Sequence, residues 1–235
     1  MKIQHPLCLF LLLSLIHSST ILPAQDKIMQ RHTKVTDFSS VMLNGDLVVE
    51  LLMADVPSVT IIGPEVDLKK VDVNMDAGSL IVSLTEARTS DSVMRVEVRT
   101  RRLMKVKASG GVILGTPEPL AADALMIDLA GEASAAMDVR SMRVSVRLDN
   151  SADLTLNGSF AVLLGEMAGQ AHLKAASVPC MRADLAMTER SKAEVQVKDN
   201  LKARMSGEAV LQYKGNPKLE TEGRKEGVKR LPGTP

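Results

Sequence analysis

The chain has 235 residues, 45% of them apolar but only 2% aromatic, with no Trp and one Tyr. Lys and Arg number 29 against 28 Asp and Glu, a balance that argues against nucleic acid as a partner, and no RNA- or DNA-binding signature accompanies it. A core without aromatics has to be built from Val, Leu, Ile, Met and Ala, which suits a stack of aliphatic rows better than a two-sheet sandwich.

The chain opens on "MKIQHPLCLFLLLSLIHSSTILPAQ", with Lys2 ahead of an apolar run from Leu7 to Ile16. This predicts a secretory signal peptide over residues 1–24, cleaved near Ala24 and too short to span a membrane. Cys8 lies inside the apolar run with no small-residue lipoprotein signal before it. Cleavage removes Lys2 and no acid, leaving 28 basic and 28 acidic side chains. Cys180 is then the one remaining cysteine, so neither an intramolecular disulfide nor a cysteine-rich metal site is expected.

Residues 25–35 read as an N-terminal linker. From there to residue 102 the chain alternates apolar and polar residues in "VMLNGDLVVELLM", "SVTIIG", "GSLIVSL" and "SVMRVEVRT", with turns at Asn44-Gly45 and Ala77-Gly78. This region is expected to form atypical first coils that cap an open strand edge. "RVEVRTRRLMKVK" follows, and Arg95, Arg99, Arg101, Lys105 and Lys107 share one parity. They read either as an outward strand face that resists aggregation or as a polyanion-binding strip for acidic glycans or lipopolysaccharide.

A repeat then takes over. Gly110, Gly131, Asn150, Gly169, Glu189 and Gly207 follow one another at spacings of 21, 19, 19, 20 and 18 residues. Two positions after each of the last five stands a small residue: Ala133, Ala152, Ala171, Ser191, Ala209. Columns two residues apart, such as Leu125, Val144, Leu163, Ala183, Leu201, are almost wholly apolar, and the columns between them are mostly polar. A period of two repeated every twenty residues predicts an all-β, parallel β-helix-like solenoid with coils of about 18–21 residues. The Gly/Asn column marks structural turn positions that need φ > 0 or a close backbone approach. Glu189 breaks that rule and is expected to turn differently. Pro217 is expected to end strand pairing, and residues 218–235 to form a flexible charged tail.

Three features together resemble a known family: the leader, the start Phe38-x-x-Val41-x-Leu43-Asn44-Gly45, and repeated small-Gly turns ending in Tyr213-x-Gly215-x-Pro217. The resemblance, over residues 36–217, is to the putative auto-transporter adhesin head GIN domain family, common in Bacteroidetes. It implies a right-handed β-helix-like fold, a cell-envelope or extracellular location and an adhesive role, and offers no catalytic residues. Asn150 and Glu189 depart from the family's pattern, where glycine is usual.

The remaining site readings are bland. Asp128 and Glu166 fall in one outward column with Arg147 between them, which neutralises a glycosidase-like acid pair. His172 falls between Asp153 and Lys192 on an outward column, and Lys192 is no metal ligand. His32 lies near the mature N-terminus and is expected to be mobile. "DNSAD", Asp149 to Asp153, lacks the glycine-rich nonapeptide of calcium-loaded rolls. Ser109 has no nucleophile elbow. Met126 and Leu164 share an outward column and hint at a protein partner. The resulting expectation is an exported, non-enzymatic binding module without cofactors, whose partner is a glycan, a cell surface or an envelope protein. Its rivals are an envelope scaffold or stress protein and a polysaccharide-active enzyme. The sequence assigns no oligomeric state.

Overall fold

The computed structural model describes residues 27–232; the expected signal peptide lies outside the described residues. In chain order the elements are β1 (Ile28–Lys34), β2 (Ser40–Asn44), β3 (Val48–Met53), β4 (Ser58–Pro64), the single-turn α1 (Glu65–Leu68), β5 (Val71–Asp76), β6 (Ser79–Leu84), β7 (Arg95–Thr100), β8 (Lys105–Gly110) and β9 (Ile113–Gly115). Then come the long strands β10 (Leu120–Gly131), β11 (Ser134–Leu148), β12 (Asp153–Met167), β13 (His172–Met187) and β14 (Lys192–Met205). Three short ones close the chain: β15 (Val210–Lys214), β16 (Lys218–Gly223) and β17 (Val228–Arg230).

These strands wind into a β-solenoid with two parallel rows of backbone pairing. In one row, the first half of each long strand lies on its neighbour, with Ser134 opposite Asp153, Asp153 opposite His172, and His172 opposite Lys192. In the other, the second halves stack: Leu125 opposite Val144, Val144 opposite Leu163, Leu163 opposite Ala183, and Ala183 opposite Leu201. These are the columns read from the sequence. Inside lie aliphatic side chains such as Ile127, Val146 and Leu185 from the second row and Met137, Leu156 and Val195 from the first, all nearly solvent-free. Each buried Val, Leu, Ile or Met stabilises the coil by roughly 1.5–3 kcal/mol.

Seven turns stack at one edge. Gly45, Gly110, Gly131, Asn150, Gly169, Glu189 and Gly207 all have positive φ, between 57° and 103°. Glu189 therefore turns as its neighbours do, at φ 57°, correcting the expectation of a different turn. Stacking supplies the reason. The turn backbone is held by hydrogen bonds to the coils on either side, Arg190 N to Gly169 O at 2.9 Å and Glu208 N to Glu189 O at 2.5 Å, which outweigh the modest cost of a left-handed Glu.

The N-terminal third has a different topology. β2 is sandwiched between β6 and β8, and β3 between β7 and β9, all parallel. The coil formed by β6 and β7 is thus inserted on the outer side of the coil that precedes it in sequence. Antiparallel strands finish this end: β5 on β6, β4 on β7 and β1 on β4. The expected linker is therefore largely strand, because Ile28 to Lys34 find an open edge on β4. The far end differs from expectation too. β16 pairs with β14 and β17 with β15, so the charged tail continues the solenoid beyond Pro217. Its polar side chains alternate about a few apolar ones, and Pro217 falls at a corner where no ladder bond is needed. Both ends carry charged edge strands, which discourage pairing with other chains.

Candidate functional site: the outward columns

The alternation that buries the core leaves its complement in rows on the outside. One outward column reads Lys107, Asp128, Arg147, Glu166, Ala186, Arg204, Glu222. Apart from Ala186 its charges alternate in sign from coil to coil. Beside it runs Lys105, Met126, Ser145, Leu164, Asp184, Lys202, Glu220. Ion pairs knit the two, Arg204 to Asp184 at 2.9 Å and Lys202 to Glu222 at 3.0 Å, and within the first column Lys107 lies 4.0 Å from Asp128. Pairs this exposed are worth about 0–1 kcal/mol each; their main effect is a regular polar lattice along the rod. Asp128 and Glu166 stand two coils apart with Arg147 between them, so the arrangement lacks the unobstructed carboxylate pair that acid catalysis on a sugar requires.

The basic residues do not form one strip. Arg95 and Arg99 lie on β7 and Lys105 and Lys107 on β8, which belong to different rows, with Arg101 at the corner between them. The shared parity spans that corner, so strand alternation does not carry across it. Several are also neutralised locally: Arg99 binds Glu97 at 2.6 Å, which raises its pKa further, and Arg101 binds Asp37 at 3.4 Å.

Other singled-out residues have structural partners. Asp153 takes Lys174 at 2.8 Å and faces His172 Nδ1 at 3.9 Å. Asp149 accepts from the Asn150 backbone N–H at 2.9 Å inside a turn, so "DNSAD" is a coil turn whose last residue, Asp153, opens β12. Among the described residues no group of three His, Cys, Asp or Glu could hold a metal ion. His32, expected to be mobile, lies in β1 with Nδ1 3.1 Å from Thr60 Oγ1. The Ser109 hydroxyl donates to Asn44 Oδ1. Burial pushes the Cys180 thiol up to about 11, and it donates to Gln196 O, so it is protonated and inert at neutral pH.

Sequence reading missed one cluster. Asp67 is fully buried, and its carboxylate accepts from Lys70 Nζ at 2.8 Å and from the Thr89 and Ser90 backbone N–H groups at 2.8 and 3.0 Å. Burial opposes its ionisation, yet these donors win and hold its pKa down at about 2. Lys70 also donates to Ala87 O, so the pair staples α1 to the loop between β6 and β7. No sequence period marks a staple whose partners are about twenty residues apart.

The family model described as putative auto-transporter adhesin, head GIN domain, matches residues 37–217. The chain belongs to that family. Among solved structures, a putative adhesin from Bacteroides fragilis matches at TM-score 0.79 and 15% identity, covering 88% of this chain and 98% of that one. A putative adhesin from Parabacteroides distasonis matches at 0.72 and 16%, covering 88% and 98%. A putative lipid binding protein from the same organism matches at 0.69 and 15%, covering 87% and 97%. At these identities the likeness shows the shared fold. No curated relative matches the chain. Membership places this GIN domain solenoid among adhesin-like binding proteins, a class that suggests a secreted or surface protein.

Proposed function

We propose that the protein is an exported, non-enzymatic binding module that presents its outward columns to a glycan, a surface or an envelope protein. The observation that carries this reading is the column Lys107, Asp128, Arg147, Glu166, repeated coil on coil. A stiff rod with polar groups about every 4.8 Å suits multivalent contact with a polymer or surface. Family membership supports the adhesive sense of that contact.

The test is a glycan array probed with the purified protein at low and physiological salt. Selective binding that survives physiological salt, and weakens in Arg147→Gln, is the expected result. Binding only at low salt would mean unspecific charge attraction. No binding at either salt sinks the glycan form of the reading and moves it to a protein partner, for which the exposed Met126 and Leu164 speak. Release of reducing ends from any bound polysaccharide would overturn the non-enzymatic assignment.

A further inference from the structure

The outward columns are not uniformly polar. Met104, Met126, Met142, Leu164 and Met181 are 59%, 45%, 69%, 38% and 42% exposed. They occupy five consecutive coils, one apiece, at the start of the second row or on the corner leading into it. Met126 N donates to Met104 O, and Met104 and Met142 line one shallow groove. At one strand spacing per coil the ridge is about 19 Å long.

Cations follow the same corner. Arg102, Arg140, Arg143 and Arg182 are all exposed, and each stands within two residues of one of these methionines. Among the described residues none of the four is held in an ion pair. Of the nearby acids, Asp184 is already taken by Arg204 at 2.9 Å, leaving Asp123 beside Met142 and Asp199 beside Met181, two against four arginines. The corner is therefore a staggered apolar edge, Met126 and Leu164 lying three positions along the strand from Met142 and Met181, beside which uncommitted arginines outnumber the free acids.

We propose that this ridge docks the rod lengthwise on an anionic lipid bilayer. Arginines of this kind sit at the phosphate level while flexible, unbranched methionines enter the acyl boundary. A sugar polymer would leave five apolar side chains unused, and among the described residues no exposed aromatic platform accompanies them. The inference deepens the binding-module reading, and rests on it, by naming a surface and the edge that meets it.

Vesicle co-sedimentation tests it, with phosphatidylcholine alone and with phosphatidylcholine containing phosphatidylglycerol. The protein is expected to pellet with the anionic vesicles and far less with neutral ones, binding falling as salt rises. The triple variant R140Q/R143Q/R182Q should lose about a hundredfold in vesicle affinity, roughly fivefold per arginine. M142S/M181S should lose about tenfold while its circular dichroism stays unchanged. Lys192→Gln, in the first row, should bind as the parent does. No binding to anionic vesicles, or binding insensitive to both ridge variants, overturns the proposal. So does binding that the arginine variant abolishes but M142S/M181S leaves intact, which assigns the corner to a soluble polyanion. A positive glycan array beside failed vesicle binding would sink the bilayer alone and leave the binding-module reading standing.

Discussion

The two ends of this rod are built from the same strands in different ways. From β10 onward each coil lies on the one before it in sequence, so Ser134 meets Asp153 and Asp153 meets His172. Before β10 the order is shuffled: Ser40 meets both Ser79 and Lys105, and Val48 meets both Arg95 and Ile113. The repeat closes each coil with a short loop and a small entropy cost, whereas the N-terminal third closes long ones. The repeat holds itself by stacking. The N-terminal third adds antiparallel caps and the buried Asp67–Lys70 staple.

The turn ladder offers the largest test of that difference. A Cβ on Gly169 would stand 2.6 to 2.9 Å from three backbone atoms of Asn150, and one on Gly131 would stand 3.2 Å from Gly110 N. One on Gly78, in the hairpin of the capped end, would meet nothing within 4 Å. All three have positive φ. Gly169→Ala should therefore cost about 4 kcal/mol, Gly131→Ala about 2 and Gly78→Ala about 1, the last being left-handed strain alone. Urea unfolding of the three variants checks the order. Equal losses would show that stacking does not tighten the turns of the repeat.

The staple gives the next effect, and it belongs to the other region. Asp67 has its pKa lowered from 3.8 to about 2, so its contribution is present above pH 4 and fades as pH falls toward 2. The shift corresponds to about 2 kcal/mol. Asp67→Asn should lower the urea midpoint at pH 7 and leave a smaller drop between pH 5 and pH 3 than the parent shows. An unchanged acid profile would remove Asp67 as the source.

How much of this was legible follows the same division. In the repeat, partners lie one coil apart in sequence, so period and register could be read together, and the columns from Leu125 to Leu201 came out as the structure has them. In the N-terminal third, period two marked strands but not partners, because nothing local says that β6 passes beneath β2. Edges were misjudged for a related reason. Ile28–Lys34 and Lys218–Gly223 are polar enough to read as linker and tail, yet each needs only one neighbour's ladder to become strand. Corners defeat alternation altogether. Arg95 and Lys107 share parity across a bend that separates them, and Met142 and Met181 escape any column because the bend interrupts the count.

The smallest expected effect concerns the two turns where the ladder is not glycine. The hydrogen bond leaving the turn above Asn150 is 2.6 Å and that above Glu189 is 2.5 Å, against 3.1 Å above Gly110 and 2.9 Å above Gly131 and Gly169. Glycine next in line therefore meets a closer backbone, and the non-glycines at 150 and 189 each sit on a looser glycine turn below. Glu189→Gly relieves about 1 kcal/mol of left-handed strain but adds freedom to the unfolded chain, for a net gain of about 0.5 kcal/mol. Asn150→Gly should gain less, since Asn tolerates this conformation. A double variant in which both positions are glycine should be additive, the two turns being separated by Gly169. A loss of stability in Glu189→Gly would mean that the Glu side chain contributes a contact that outweighs its strain, and the ladder would then be a mixed device rather than a glycine stack with two tolerated exceptions.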